Sequence, residues 1–256
     1  MSRQLPSLDT HAHVDTSVSQ RDMEALGAVV FVATRSQQEF ARTLTRRDQV
    51  VVWGLGCHPG VPDAQAAFDA HTFREQLTWT PFVSEVGLDA RSTVPTADQQ
   101  RTFRTVLEIC NDSPRILSVH SAGRTRNVLE LIEELQTAGV VLHWWLGTEQ
   151  ETRQALELGC YFSVNHAMLG KSQLHRIPLS RLLLETDHPS GDRRSPRPRR
   201  PGATNALEEE LARHHGIDIG AMRTLQWQNM ARLVDQQGVD HLLPTAIQRM
   251  LAHVRR

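Results

Sequence analysis

Lysine is nearly missing from this chain of 256 residues: Lys171 is the only one, and the other 27 basic residues are arginine. A metal centre bridged by a carboxylated lysine needs that residue near a strand end. Lys171 sits in the turn-like Leu169-Gly170-Lys171-Ser172, so that chemistry is not expected. Cysteine is scarce too. Cys57, Cys110 and Cys160 are odd in number and widely spaced, which fits neither a disulfide framework nor a Cys-x-x-Cys zinc site. Buried free thiols in a reducing cytoplasm are the expectation. No apolar run approaches the roughly 18–20 residues of a membrane span. Met1–Leu8 lacks the apolar core of a secretory signal. Charge is nearly balanced, 28 basic against 29 acidic residues, so the chain carries no global electrostatic signature of a nucleic-acid binder.

What is present reads as a globular α/β protein. Hydrophobic residues make up 39% and charged residues 22%, which excludes fibrous and largely disordered chains. The length suits a single α/β barrel, a fold of about 250 residues. Short apolar runs predict strands at Leu5–Thr10, Ala28–Ala33, Val50–Leu55, Phe82–Val86, Ile116–Val119, Val140–His143, Tyr161–Val164 and Arg181–Glu185. Their lack of polar alternation suits strands buried on both faces. Helical periodicity predicts helices at Ser36–Arg47, Ala64–Thr78, Ala97–Asn111, Arg124–Thr137, Glu149–Leu158 and from Leu174 onward, then Asn205–His214, Met222–Gln237 and Val239–Arg255. Eight strands alternating with helices predict a closed (β/α)8 TIM barrel forming one domain over 1–256, with 239–255 as an extra C-terminal helix. An open doubly wound sheet is the alternative, but no Gly-x-Gly-x-x-Gly follows a strand.

Metal-capable side chains recur at the C-terminal ends of these strands. His11 and His13 follow the first, two residues apart and so on one side of an extended segment. His58 follows the third, Glu85 ends the fourth, His120 the fifth and His143 the sixth, and Asp187 follows the eighth. In a barrel that rim is where active sites are built. Burying so many ionisable groups without a metal would be costly. Nitrogen and carboxylate donors without thiolate suit Zn²⁺ or Mn²⁺, and Mg²⁺ or Fe²⁺ less specifically. The number of donors suits two ions sharing a bridging carboxylate, for which Glu85 is the natural choice, and points to metal-assisted hydrolysis.

At these residues the sequence resembles the TatD-like metal-dependent deoxyribonucleases of the amidohydrolase superfamily. The matching motifs are Asp9-Thr10-His11-Ala12-His13, Gly56-Cys57-His58-Pro59, Glu85-Val86-Gly87-Leu88-Asp89, Val119-His120-Ser121, Leu142-His143-Trp144 and Leu184-Glu185-Thr186-Asp187, with Trp227–Leu233 similar to a C-terminal helix. The likeness spans about residues 6–235. It implies a TIM barrel with two divalent ions, Zn, Mg or Mn. His11, His13, Glu85 and Asp187 would hold one, and Glu85, His120 and His143 the second. The resemblance further implies that His58 faces the substrate phosphate and that Asp187 accepts a proton from the attacking water, on DNA that is single-stranded or end-containing. The chain departs from the family at His188, where a small residue is usual, at Asn205-Ala206, and at Ala122, where many members carry arginine. Leu117–Ser121, Leu142–Trp145, Leu158–Val164 and Ala167–Leu169 resemble the TatD-like subunits, QatD, of Qat antiphage defence systems, which implies defence partners including an ATPase and a QueC-like enzyme.

Further substrate contacts are expected from Arg124, at a helix start after His120, from Trp144 as a stacking surface, from His188, and from Arg193 and Arg194. The last two open a stretch with five arginines in residues 193–200, able to neutralise phosphates. Two other readings stay open: a small-molecule amidohydrolase or phosphotriesterase on the same barrel, and a partner-binding subunit with weak activity alone.

Overall fold

The structure is a computed structural model and describes residues 5–192 and 200–256. Among the described residues, eight strands run in chain order: β1 (Ser7–Ala12), β2 (Ala28–Ala33), β3 (Val51–Gly54), β4 (Phe82–Gly87), β5 (Ile116–His120), β6 (Val140–Leu142), β7 (Tyr161–Val164) and β8 (Leu182–Leu184). Each is buried along its length, which is why most read as unbroken apolar runs. All pairing is parallel, β1–β2–β3 in one sheet and β4 to β8 in the other. Backbone bonds close both seams. Leu55 N donates to Phe82 O and Ser84 N to Leu55 O, each at 3.0 Å, joining β3 to β4. Across the other seam Asp187 N donates to His11 O and Thr10 Oγ1 to Leu184 O, each at 2.9 Å. The result is the (β/α)8 barrel that the alternation of strands and helices predicts.

The helices are α1 (Gln20–Glu24), α2 (Gln37–Ala41), α3 (Pro62–Ala66), α4 (Ala70–Leu77), α5 (Thr96–Asp112), α6 (Thr125–Leu135), α7 (Glu149–Glu157), α8 (Asn205–His215), α9 (Ile219–Gln237) and α10 (Thr245–Val254). Several depart from the periodicity-based expectation. The helix expected over Ser36–Arg47 ends at Ala41, and Thr43 Oγ1 bonds Phe40 O at 2.8 Å in place of further helix. The segment 64–78 splits because Asp69 takes an extended backbone and caps α4, accepting from Thr72 N at 2.8 Å. Where a helix is expected to start at Leu174, only short 3-10 turns form before β8, at Leu174–Arg176 and Leu179–Arg181. Pro178 lacks an N–H and disfavours the helical region at Ile177. Pro244 divides the last predicted helix in the same way, leaving a 3-10 turn and α10. α1 has a sequence signal that the periodicity search passes over, a Ser19 cap accepting from Asp22 N.

Alternating strand residues serve two cores. Val30, Val32, Leu117, Val119, Phe162 and Leu184 pack with helix residues such as Phe103, Leu107 and Val128. Leu8, Phe31, Phe82, Tyr161 and Leu183 pack instead with Trp227, Met230 and Val234 of α9 and Ile247 and Leu251 of α10. Trp227 Nε1 donates to Pro6 O at 2.9 Å, just before β1, and Asn229 Nδ2 to Leu182 O at 2.7 Å, where β8 begins. The C-terminal helices thus plug the N-terminal mouth of the barrel, leaving the opposite mouth for the polar residues. No helix among the described residues is long and apolar enough to cross a membrane.

Candidate metal centre

At the C-terminal mouth the strand ends bring His11, His13, His58, Glu85, His120, His143 and Asp187 together around the Glu85 carboxylate. His13 Nε2 and His58 Nε2 each lie 3.2 Å from Glu85 Oε2, and His11 Nε2 lies 3.7 Å from it. His143 Nε2 is 2.8 Å from Oε1, which His120 Nδ1 also touches. Asp187 Oδ1 is 3.7 Å from His13 Nε2 and 4.0 Å from His11 Nε2. Glu85 and the histidines other than His58 are buried, as is Asp187.

Outer partners decide which nitrogen each ring points inward. His13 Nδ1 faces the Ala33 carbonyl at 2.9 Å, so it donates there and Nε2 keeps its lone pair. Asp89 Oδ2 lies 3.0 Å from His120 Nε2, and Glu185 Oε1 3.6 Å from His143 Nδ1. Asp89 favours a hydrogen on the outer nitrogen of His120 and leaves the inner one bare, while Glu185, beyond hydrogen-bond range of His143, acts on that ring through its charge. His11 Nδ1 meets Ser118 Oγ at 2.7 Å, and its Nε2 is buried with no hydrogen-bond partner, as is Glu85 Oε2. Ring nitrogens, His13 Nε2 among them with its lone pair turned inward, therefore crowd an ionised carboxylate at 2.8–3.7 Å. Acceptor against acceptor at that range requires a proton or a cation between them. This donor set fits a divalent ion. Among the described residues, ligand atoms within 4.8 Å of one another form three groups: His11, His13 and Glu85; His58, Glu85 and His120; and His11, His143 and Glu185. His58 differs from the other rings. Its Nδ1 accepts from Gly60 N at 2.8 Å, so the neutral ring carries its hydrogen on Nε2, which lies 3.2 Å from Glu85 Oε2. A Cβ on Gly60 would come within 2.9 Å of His58 Cε1, so this approach needs glycine.

The electrostatics of the cluster set burial against close charged partners. Burial opposes charge on Glu85, yet the His58, His120 and His143 imidazoles hold its carboxyl well below the usual range. Burial lowers His143, but Glu85 and Glu185 outweigh it and hold the ring well above the ordinary histidine value. His120 is raised in the same manner, with burial overcome by Glu85 and Asp89. His11 is driven well below by burial and the His143 charge, and burial takes His58 down to about 4. Burial pushes Asp187 up to about 7. Asp187 also holds φ at +44°, a left-handed conformation unusual for a residue with a side chain. Its N–H is fixed by His11 O and its carbonyl by Gly191 N at 2.7 Å.

The other expected contacts are distributed differently. Trp144 is half-buried and lines the same cavity of about 560 Å³ as Glu85, His120, His143 and Asp187. His188 lies beside His13 on an adjoining groove of about 700 Å³ that also holds Arg35 and Arg42. Arg124 is outside the cavity lining, and its Nη2 donates to Thr96 Oγ1 on α5 at 3.2 Å. Arg193 and Arg194 lie outside the described residues. Trp145 is fully buried and bonds Thr152 Oγ1 at 2.8 Å. The three thiols are buried and free, each pushed by burial to about 12.

The reading by strand ends passes over Glu185 and Asp89. Glu185 is 1% exposed and accepts from Ser163 Oγ, Asn165 Nδ2 and Trp144 N while facing His143. Asp89 accepts from His120 and from Arg91 Nη2 at 3.1 Å. The available signal for Glu185 was a charged residue directly continuing Leu182-Leu183-Leu184, which demands buried partners.

The family described as TatD related DNase matches residues 8–235. Human deoxyribonuclease TATDN3 is 25% identical over 271 residues, covering 92% of this chain and 96% of that protein. YjjV of Escherichia coli K12, named an uncharacterized metal-dependent hydrolase, is 29% identical over 209 residues, 71% of this chain and 79% of its own. The crystal structure of that TatD homologue matches with a TM-score of 0.79 at 22% identity, covering 89% of this chain and 97% of that one. A Cronobacter sakazakii protein named 3'-5' ssDNA/RNA exonuclease TatD is 28% identical over 167 residues, 59% of this chain and 64% of that protein.

Proposed function

The chain belongs to the TatD-related DNase family, and on that premise we propose that it is a divalent-metal-dependent phosphodiesterase acting on DNA that is single-stranded or carries free ends. Two ions, Zn, Mg or Mn, would be held by His11, His13, Glu85 and Asp187 on one side and by Glu85, His120 and His143 on the other. The observation that carries this reading is the crowding of imidazole nitrogens around Glu85 Oε1 and Oε2. Divalent ions held there would lower the pKa of water and polarise a phosphoryl oxygen.

The chain's own groups supply the rest. Glu85 fixes the ligand rings about one point. His58, held as the Nε2–H tautomer by Gly60 N, donates to a non-bridging phosphate oxygen. Asp187, pushed up to about 7 by burial in the metal-free chain, is placed to take a proton from the attacking water. Glu185 and Asp89 hold His143 and His120 in register. The test is end-labelled single-stranded DNA with Mg²⁺ or Mn²⁺. Cleavage by the wild type and none by Glu85→Ala supports the reading; no cleavage by the wild type, or equal cleavage by both, removes it.

The proposal extends to setting. The resemblance of Leu117–Ser121, Leu142–Trp145 and Leu158–Val164 to TatD-like subunits of Qat systems supports a cytoplasmic nuclease that works beside defence partners. Loss of phage protection by the complete gene set on Glu85→Ala, with the partners still co-purifying, is the expected result.

A further inference from the structure

The cavity over the candidate centre has two unlike walls. Its floor is acidic, with Glu85, Asp89 and Asp187. Arg91 lines it as well, but its charge is committed: Nη2 and Nε lie 3.1 and 3.2 Å from the Asp89 oxygens. The wall built by the loops after β6 and β7 carries Trp144, Leu146 and Lys171. Among the described residues, the Lys171 ammonium makes no hydrogen bond or ion pair, although it lines a pocket floored by three carboxyl groups. It is also the single lysine in a chain that uses arginine at 27 other positions.

This lysine is held from below. Its N–H donates to Met168 O at 3.0 Å and its carbonyl accepts from Leu174 N at 3.2 Å. Met168 and Leu174 are buried at 0% and 7% exposure and pin the turn to the core. Leu146 is 45% exposed, one of three large apolar side chains exposed among the described residues. Trp144 adopts φ +43°, a region that costs a side-chain-bearing residue of order 1–3 kcal/mol. Its N–H is anchored on the buried Glu185 at 3.1 Å. A strained tryptophan, an exposed leucine and an uncommitted cation on one wall together form an apolar shelf with a positive edge. The groove on the opposite side of His13 has Arg35 and Arg42 offset by Asp15, Glu39 and Asp63, and no exposed large apolar residue.

We propose that Lys171 anchors the phosphate next to the scissile one, while Trp144 and Leu146 seat the intervening base. The inference rests on the phosphodiesterase reading and names the residues that position its substrate. A paired base cannot stack on a protein side chain without leaving its duplex, whereas an unpaired one stacks without regard to sequence. A single ammonium contact adds a salt-dependent, sequence-independent term, about 0.7 in the slope of log affinity against log salt for a single strand.

Steady-state cleavage of octathymidylate by wild type, Lys171→Met and Lys171→Arg in Mg²⁺ tests the anchor. Lys171→Met is expected to raise KM about tenfold with kcat within about twofold, and to flatten the salt slope of kcat/KM by about 0.7. Lys171→Arg is expected to restore both. Leu146→Ser is expected to raise KM for octathymidylate but not for bis-p-nitrophenyl phosphate, which has no base. An unchanged KM and salt slope in Lys171→Met overturns the inference and leaves the hydrolase reading standing. If the wild type cleaves nothing, binding decides instead. Reductive ¹³C-methylation gives Lys171 the only side-chain dimethylamine resonance. A shift on adding octathymidylate, but not a blunt duplex of the same length, supports the anchor; no shift, or equal shifts, overturns it.

Discussion

The two mouths of this barrel are built from the same strands and obey opposite rules. At the N-terminal mouth, Phe31 and Phe82 meet edge to face with ring centroids 5.2 Å apart, and α9 and α10 seal them under Trp227, Ile247 and Leu251. At the C-terminal mouth, a carboxylate sits among imidazoles with buried polar atoms left without partners. The first end is stabilised by removing apolar surface from water. The second costs stability unless a cation joins it. Their difference separates residues kept for folding from residues kept for chemistry, and each prediction below targets one end while watching the other.

The largest effect is expected at the polar mouth. Glu85→Ala should lower kcat/KM by about a thousandfold or more, a loss typical of removing a group that holds transition-state charge. Its circular dichroism should stay close to wild type, which separates lost chemistry from lost fold. At the apolar mouth, Trp227→Ala should lower stability by about 3–5 kcal/mol and leave kcat nearly unchanged in the cold; urea unfolding and initial rates read the two parts. A large fall in kcat there would mean that the plug and the centre are coupled.

Chelation gives a smaller, conditional effect. Stripping ions present at about 100 times their dissociation constant removes about 2.7 kcal/mol, or a melting shift of about 5–11 °C at 2–4 °C per kcal/mol. Glu85→Ala should show almost none of it. That difference should widen with pH. His120 and His143 are raised above the ordinary histidine value in the metal-free fold, so their stabilising protonation is complete below about 6.5 and is lost as pH climbs through the raised values. The metal-loaded form has already released those protons. A scan from pH 6 to 9 with and without chelator should show the two melting curves separating upward.

The smallest effect concerns the seam. Asp9 accepts from Thr186 N, Thr186 Oγ1, Gly202 N and His11 N while wholly buried, and burial raises its carboxyl to about 6. Asn offers one oxygen in place of two. Asp9→Asn should destabilise by about 1–3 kcal/mol, measured by urea unfolding, with the metal dependence intact.

The sequence made the barrel and the rim readable because each signal was local. β2 and β7 end where the apolar runs end, and His11, His13, His58, Glu85, His120, His143 and Asp187 each stand near or beyond the C-terminal end of a recognisable strand. What escaped depends on neighbours distant in the chain. Glu185 matters because Ser163 on β7 and Trp144 and Asn165 in the loops after β6 and β7 surround it. Asp89 matters because β5 places His120 against it. Lys171 stood in an unremarkable turn until the fold set that turn over the cavity. The broken helices at 69, 178 and 244 show proline and a capping aspartate overriding an apolar period.

The central claim is that the side chains around Glu85 cage divalent cations. Crystals grown with Mn²⁺ and measured at the manganese absorption edge test it directly. The account predicts anomalous density bounded by His11, His13, Glu85, His120, His143 and Asp187. Density absent from that cluster in crystals of the active protein would contradict it.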